Sequence, residues 1–303
     1  MTKKNNFFKS ICMICAICFI ALVSAPLITL AIPATQTLST LQIIPTSQPL
    51  EKEPPPMETA NPNTNLTEPT TNNKPEYDQF TFSERQERNL PTILPVTEPY
   101  YGDKVIYLTF DDGPDLENTP LILDILKENN IKATFFVLGT EVKKYPDLLK
   151  RVYDEGHAIG NHSYNHIYRD LYQSEHTYIE QLHHNDDIIK SIINVRPHIS
   201  RAPGGSAGNF TKAYWNILKQ QGYIEVGWNI SSGDASHAKA EQLLNNIIQQ
   251  TEKNTFLWSH AILLMHDGKG HSETVKALPR IIKFYKEKGF TFQIINSKTP
   301  SAW

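Results

Sequence analysis

The sequence predicts an α/β fold, an irregular (β/α) barrel, in the carboxyl-terminal two thirds of the 303-residue chain. Past Tyr101, apolar runs of strand length alternate with segments of helical periodicity, which is the pattern of βα repeats. Six or more such units follow one another in about 190 residues, fewer than a regular (β/α)8 barrel uses. Because the chemistry of such barrels sits where strands end, we expect functional side chains directly after predicted strands.

The helices and strands of this region have local start and stop signals. Thr119, as an N-cap followed by Pro120, predicts a helix start, and Pro146 opens another helix that Gly156 ends. The run 105–110 is rich in β-branched and aromatic residues and predicts a buried strand. The predicted strands are 105–110, 133–138, 157–160, 223–230, 261–265 and 290–295, and the predicted helices are 119–129, 146–155, 174–193, 210–221, 237–251 and 274–288.

The amino-terminal segment 1–33 has the composition of a membrane-targeting sequence. Its apolar run 11–32 follows three lysines and, at about 1.5 Å per residue, is long enough to span a bilayer. It is either a cleaved signal peptide or a retained signal anchor, and its length favours the anchor. Since lysines precede the run, the rest of the chain is placed outside the cytoplasm. We expect an extracytoplasmic protein that is anchored by this helix or secreted to the cell wall.

Residues 34–99 are dense in Pro, Thr, Asn and Glu and predict an extended, disordered linker, which leaves 100–303 as the catalytic domain. All three cysteines lie within 12–18, so the domain uses neither disulfides nor cysteine ligands. The net charge is only -3 and no long basic block is present, so nucleic acid is not an expected partner. We expect a monomer.

Two adjacent carboxylates, Asp111 and Asp112, follow the first predicted strand. Taken alone, the segment 111–114 is an ordinary Asp-Gly-Pro turn. Adjacent side chains diverge, however, so the pair can serve two roles, with one carboxylate on a metal and the other on a reacting water.

His162 and His166 come just after another predicted strand. A four-residue spacing places two side chains on the same side of a helical turn, which is a ligand geometry, although a chain with 11 histidines also produces such pairs by chance. Together with Asp112 they form a set of two histidines and one carboxylate. Such a set leaves positions open for water and substrate, as a catalytic zinc site requires.

Two further clusters lie at predicted strand ends or in a loop. The segment 201–205 presents the Arg201 guanidinium and backbone N–H groups in a Pro-Gly-Gly turn. His266 and Asp267 end the apolar strand that begins at Ala261, and a histidine is a suitable general acid because its ordinary pKa lies near 6.5. Singly, each cluster is a turn or a solvated strand end; four of them at one edge favour an active site.

Over residues 104–296 the sequence resembles the polysaccharide deacetylases of carbohydrate esterase family 4, the NodB homology domain. The resemblance implies this family's irregular (β/α) barrel and rests on several motifs in order. These motifs are Thr109-Phe110-Asp111-Asp112-Gly113-Pro114, His162-Ser163-Tyr164-Asn165-His166, Arg201-Ala202-Pro203-Gly204 and Leu264-Met265-His266-Asp267.

The resemblance also implies a role for each matching residue. The metal would be Zn²⁺, or Co²⁺ or Ni²⁺, and its ligands would be Asp112, His162 and His166. The general base would be Asp111, held by Arg201, and the general acid would be His266, oriented by Asp234. The Gly204 N–H would stabilise the oxyanion, and Leu264 would line the pocket for the acetyl methyl group.

The chain departs from the family pattern at three positions. In the fourth motif, which often reads Asp-x-x-Asp-Trp, the first aspartate is Ser231 and the tryptophan is Ala235, so an apolar wall of the substrate groove is missing. The tyrosine that many members have in the third motif is Gly204 here. These changes leave the substrate in doubt rather than the chemistry.

The implied function is removal of N-acetyl groups from a cell-wall glycan, most simply from N-acetylglucosamine in peptidoglycan. N-Acetylmuramic acid, chitooligosaccharides and O-acetylated xylan are alternatives within the same fold. A non-catalytic glycan-binding module is an alternative of another class, against which the intact acid, base and metal positions argue. A structural protein that tethers the wall would explain the anchor and linker but not the ordered clusters.

Overall fold

The computed structural model of the protein describes residues 73–302. The predicted signal or anchor segment and residues 34–72 of the predicted linker lie outside the described residues. Within 73–302, none of the helices combines the length and the apolar character that a bilayer span needs.

The described residues contain ten strands and nine α-helices, which alternate along most of the chain. The strands are β1 (Tyr77–Asp78), β2 (Val105–Asp111), β3 (Thr134–Val137), β4 (Ala158–Asn161), β5 (Arg196–Pro197), β6 (Ile199–Ser200), β7 (Ile224–Glu225), β8 (Ile230–Ser231), β9 (Ala261–His266) and β10 (Thr291–Gln293). The helices are α1 (Phe82–Glu87), α2 (Asn118–Glu128), α3 (Gly139–Lys144), α4 (Pro146–Asp154), α5 (Tyr168–Leu171), α6 (Glu175–Ile193), α7 (Lys212–Gln220), α8 (Ala240–Lys253) and α9 (Ser272–Glu287).

Eight of these strands form one parallel sheet in the order β7-β6-β4-β3-β2-β9-β8, with β10 beside β2. β2 is central because it has neighbours on both sides. β9 pairs with residues 106–111 on one side. On the other side, β10 pairs with residues 105–107 and β3 with residues 109–111. All seven residues of β2 are buried. Since every strand in this sheet is parallel, their carboxyl ends meet at one edge.

The sheet is a curled half-barrel rather than a closed barrel, because its two edge strands β7 and β8 do not pair with each other. Only residues 226–229 separate these edge strands along the chain. The five Cα–Cα steps from Glu225 to Ile230 span at most about 18 Å, so the opening between the edges is short and a peptide segment crosses it. The predicted strand 223–230 is therefore two short strands at opposite edges.

The start of α2 differs from the prediction that Thr119 is its N-cap. The helix begins at Asn118, and the Thr119 hydroxyl donates to the buried Asp267 carboxylate at 2.6 Å. The N-cap is Glu117, whose side chain makes no capping hydrogen bond, and the Oδ1 atom of Asp115 accepts from the Asn118 backbone N–H at 3.0 Å. A buried carboxylate needs such a partner, and this need outweighs the local capping preference.

Ordered structure begins well before residue 100, the predicted start of the domain. β1 pairs antiparallel with β5, and a capping box between Thr81 and Glu84 starts α1. The Tyr77 hydroxyl bridges β4, donating to His157 O and accepting from Ile159 N, both at 3.1 Å. The composition of 73–99 predicts disorder. The partners that order this segment are distant in sequence, so its local composition does not reflect them.

The side chain of Arg196 connects this amino-terminal segment to α6. It is fully buried, and it donates to Phe80 O at 2.9 Å, to Asp78 at 3.2 Å and to Asp186 at 3.3 Å. A buried guanidinium is tolerated only when such acceptors surround it.

Replacing Arg196 by methionine, which keeps much of the side-chain length, is expected to lower the free energy of unfolding by about 3–5 kcal/mol. The reason is that the buried carboxylates of Asp78 and Asp186 lose a charged partner. Urea denaturation followed by tryptophan fluorescence measures the change. Arg280→Met, which removes the exposed pair with Glu241, is the control and should leave the denaturation curve in place. A shift for Arg196→Met no larger than for this control would contradict the assignment.

Candidate active site

Asp111 and Asp112 lie at the carboxyl end of the central strand β2, and their side chains diverge as expected. Asp111 is the last strand residue and is buried, with Oδ1 accepting from Arg201 Nη1 at 2.9 Å. Asp112 follows with a left-handed backbone, φ 73°. Its Oδ1 lies 3.4 Å from His162 Nε2 and 3.6 Å from His166 Nε2. The two carboxylates therefore have different neighbours.

His162 and His166 follow β4 in a loop, so the expectation that a helical turn aligns them is wrong. Left-handed residues, Ser163 with φ 75° and His166 with φ 58°, fold this loop back on itself. The ring centroids lie 5.2 Å apart. His162 Nδ1 is 2.8 Å from Arg201 O, and because a carbonyl only accepts, Nδ1 carries the proton. The Nε2 lone pair consequently points at the Asp112 side.

These three side chains fit a divalent metal ion. The donor atoms of Asp112, His162 and His166 lie within 4.8 Å of one another. Asp112 Oδ1 is buried without a hydrogen-bond donor, an arrangement that is destabilising unless a cation satisfies it. Burial lowers the pKa of His162, which favours the neutral form that a metal requires. The backbone carbonyl on His162 Nδ1 is the type of partner that orients metal-bound histidines.

A second cluster lies at the end of β9, next to β2. His266 Nδ1 is 2.8 Å from Asp234 Oδ1, and the His266 backbone N–H donates to Asp234 Oδ2 at 2.7 Å. Burial acts to lower the pKa of His266, but the hydrogen bond and the charge of Asp234 outweigh it and raise the pKa to about 9. His266 is therefore protonated at neutral pH, and its Nε2 carries a proton that it can donate.

Two residues of this second cluster, Thr274 and His271, belong to none of the motifs that predict the site. The Thr274 hydroxyl donates to Asp234 Oδ2 at 2.7 Å. The ring of His271 stacks on His266 with centroids 4.8 Å apart and planes inclined by 23°. Since one ion cannot lie in both of two nearly parallel ring planes, the cluster suits proton handling rather than metal binding.

The remaining predicted site residues lie around these clusters. Gly204 has φ 72° and is exposed in a turn that the Gly205 N–H closes on Ala202 O at 2.8 Å. Beside it opens a cleft of about 180 Å³ whose lining includes Gly204, Gly205, Gly227 and Trp228. Leu264 is 8% exposed near the end of β9, in register with Thr109 of β2.

The two departures in the fourth motif fall in different environments. The backbone of Ser231, at the end of β8, pairs with the side-chain amide of Gln250, at 3.0 Å from its N–H and 2.7 Å from its carbonyl. Ala235 is exposed on the short turn Asp234–Ser236. The structure thus brings the predicted base, metal ligands and acid to one edge of the sheet, and leaves the groove wall at position 235 without a large side chain.

Comparison with known proteins gives concordant matches. The family model described as polysaccharide deacetylase matches residues 99–226. A peptidoglycan-N-acetylglucosamine deacetylase of Bacillus cereus is 35% identical over 202 residues, 65% of this chain and 71% of that protein. A chitooligosaccharide deacetylase of Rhizobium leguminosarum is 32% identical over 213 residues, 66% of this chain and 94% of that protein. A crystal structure of a Bacillus cereus polysaccharide deacetylase superposes with a TM-score of 0.60 at 35% identity, covering 65% of this chain and 96% of that one.

Asp234→Asn is expected to lower the pKa of His266 from about 9 towards its ordinary 6.5, because the amide carries no negative charge. Nuclear magnetic resonance titration of the histidine rings, in chain treated with a chelator, measures this pKa. Asp154→Asn, an exposed carboxylate on α4, is the control. An unchanged His266 titration in Asp234→Asn would rule out Asp234 as the group that holds the proton.

Proposed function

This chain belongs to the polysaccharide deacetylase family and is a deacetylase, and from this premise we propose that it is a metal-dependent hydrolase of cell-wall polysaccharide. Its proposed substrate is the N-acetylglucosamine of peptidoglycan. The observation that carries the proposal is that three groups lie together at one sheet edge: an Arg-paired carboxylate, a His-His-Asp donor set and an Asp-paired histidine.

Asp112, His162 and His166 would hold the metal ion, and Zn²⁺ suits two imidazoles and one carboxylate, although Co²⁺ or Ni²⁺ could use the same donors. When bound, such an ion supplies Lewis acidity towards the acetyl carbonyl and makes a water molecule more acidic. The protein contributes the orientation of the ligands. Arg201 O fixes the His162 ring, so that Nε2 rather than Nδ1 faces the Asp112 carboxylate.

Asp111 would act as the general base that takes a proton from the attacking water. Its Oδ1 is held by Arg201, whereas its Oδ2 lies 3.8 Å from His162 Nε2 and so faces the metal-binding cluster. The guanidinium both orients the carboxylate and offsets its buried charge. Asp111 Oδ1 is thus held by Arg201, and Asp111 Oδ2 would accept the proton.

His266 would protonate the departing amine from its Nε2 atom, since Nδ1 is committed to Asp234. The raised pKa keeps the ring protonated until it is needed. The exposed backbone of Gly204 would donate its N–H to the oxyanion, a role for which no side chain is required. Leu264, near the end of β9, would line the pocket for the acetyl methyl group.

The choice of substrate rests on the relatives and on the amino-terminal sequence. Three relatives from Bacillus cereus named peptidoglycan-N-acetylglucosamine deacetylase are 33–37% identical to this chain. The lysine-preceded apolar run 11–32 favours action outside the cytoplasm, where peptidoglycan lies. Chitooligosaccharide is the second candidate, because a relative with that activity in its name aligns over 94% of its own length.

The two neighbouring carboxylates should fail in different ways when they are changed. Asp111→Asn is expected to lower kcat by about 10²–10⁴-fold with zinc content unchanged, because it removes the base and not a ligand. Asp112→Ala should lose both zinc and activity. Atomic emission spectroscopy and acetate release measure the two quantities, with exposed Asp124→Asn as the control. Loss of zinc in Asp111→Asn, or turnover in metal-free Asp112→Ala, would contradict these roles.

Incubation with purified peptidoglycan is expected to release acetate, and a chelator should abolish the release. Chemical analysis of the glycan should then find a free amine on glucosamine. A free amine on muramic acid instead would replace the proposed sugar but keep the reaction. No release after zinc, cobalt or nickel has been restored would overturn peptidoglycan as the substrate, and the same assay on chitooligosaccharides would then test the second candidate.

A further inference from the structure

Two aromatic side chains near the candidate active site are exposed to solvent without an evident structural need. Tyr168 is 53% exposed at the start of α5, and Trp215 is 47% exposed in the first half of α7. Large exposed aromatics often mark a binding surface when they are joined to one another rather than scattered.

A continuous series of ring contacts joins these two side chains to the metal-binding cluster. The ring of His166 lies 5.3 Å from that of Tyr168, and Tyr168 lies 6.0 Å from Tyr172. Tyr172 in turn lies 6.4 Å from Phe210, and Phe210 lies 5.3 Å from Trp215. We call the four residues Tyr168, Tyr172, Phe210 and Trp215 the aromatic track. Its inner end touches a candidate metal ligand, and its outer end is exposed.

The middle of the aromatic track is anchored to the site by buried groups. The Tyr172 hydroxyl donates to Pro203 O at 2.7 Å, within the turn that carries Gly204. Phe210 packs edge-to-face against the buried Tyr178 at 5.1 Å. The two exposed rings are therefore held on a rigid base, which lowers the entropy cost of binding a ligand against them.

Tyr168 occupies space that a side chain at position 204 would need. A Cβ atom at Gly204 would lie 2.5 Å from the Tyr168 hydroxyl oxygen, too close for any substituent without movement. The groove has no large side chain at 204 or 235, so Tyr168 provides an aromatic wall next to the predicted oxyanion donor. The aromatic side chain next to Gly204 is thus Tyr168 at the start of α5, instead of a residue of the third or fourth motif.

We propose that the aromatic track binds the sugar units that adjoin the one being deacetylated, with Tyr168 contacting the nearer unit and Trp215 a more distant one. The ligand is an N-acetylated glycan chain, contacted on the faces of its sugar rings. The apolar faces of pyranose rings pack on exposed aromatic rings, and the track itself contains no charged side chain. This inference rests on the proposed function, and it adds an extended binding site for oligomers.

The test compares an N-acetylglucosamine dimer with the pentamer, using the full chain. Calorimetry on metal-free protein gives the affinity, and acetate release by zinc-loaded protein gives kcat/KM. We expect the wild type to prefer the pentamer, and Trp215→Ala to reduce this preference roughly three- to tenfold, the equivalent of one aromatic contact. Trp215→Phe, which retains a ring, should recover most of the preference.

Phe256→Ala is the matched control, because Phe256 is 71% exposed on the turn that precedes β9, at the amino ends of the strands. A preference equal to wild type in Trp215→Ala, or an equal loss in Phe256→Ala, would overturn the track while leaving the deacetylase proposal intact. A wild type that neither binds nor deacetylates any of these glycans, nor peptidoglycan, would instead overturn the proposed function and the track with it.

Tyr168→Phe and Tyr168→Ala test the inner end. Zinc content and the rate on 4-nitrophenyl acetate, which fills only the acetyl site, are measured for both variants, and we expect the loss on glycans to exceed any loss on this small ester. On the glycans, the alanine variant should raise KM at both lengths, whereas the phenylalanine variant, which keeps the ring, should raise it less. Equal losses on 4-nitrophenyl acetate and on glycans would show that Tyr168 supports the fold of the site rather than the substrate.

Discussion

The buried guanidinium of Arg201 is the interaction on which the rest of the site depends. A charge that is removed from water must be matched by acceptors, and this one is fully buried. It lies 4.1 Å above the ring of Phe136 inside the half-barrel, and its backbone carbonyl orients His162. One residue therefore links the candidate base, a candidate metal ligand and the two edges of the sheet. Its side-chain acceptors are Thr109 Oγ1 at 2.7 Å, Asp111 Oδ1 at 2.9 Å, Val226 O at 2.9 Å and Gly227 O at 3.0 Å.

The candidate base and the candidate acid each have a partner of opposite charge. Arg201 is paired with the carboxylate of Asp111, and Asp234 is paired with the imidazole of His266. Asp111 and His266 are opposite each other in the parallel register of β2 and β9. Two adjacent strands thus place the candidate proton acceptor and the candidate proton donor at the same level of the sheet. Such a division of roles is what hydrolysis of an amide at neutral pH requires.

The parts of this structure that could be predicted from the sequence are those that local pattern determines. The run 105–110 is largely apolar because both faces of β2 are covered. Asp111 and Asp112 come directly after this run, so they lie at the edge of the sheet. Residues 226–229 could not be recognised as a crossing between sheet edges, since their backbone groups bond to partners far away in the sequence. The Val226 and Gly227 carbonyls accept from Arg201, and the Val226 and Asn229 N–H groups donate to Ser200 O and Ile262 O. The order of 73–99 could not be predicted either, because its composition is polar and its contacts are with Arg196 and β4. In both cases the deciding partner is distant in sequence, so no local pattern records it.

The departures from the family motifs show which parts of such a site tolerate change. At Gly204 the predicted role, stabilisation of the oxyanion, belongs to the backbone N–H and needs no side chain. At the strand ends, Asp111 and His266 are held by the sheet and by their charged partners. The large side chains beside Gly204 and Gly205, in contrast, come from other segments, Tyr168 from α5 and Trp228 from the segment between β7 and β8. Because the Tyr168 hydroxyl occupies the space that a Cβ atom at position 204 would need, only glycine fits at 204 without movement of Tyr168. The chain therefore keeps the residues of the candidate acid, base and metal ligands, while positions 204 and 235 of the candidate groove depart from the family pattern.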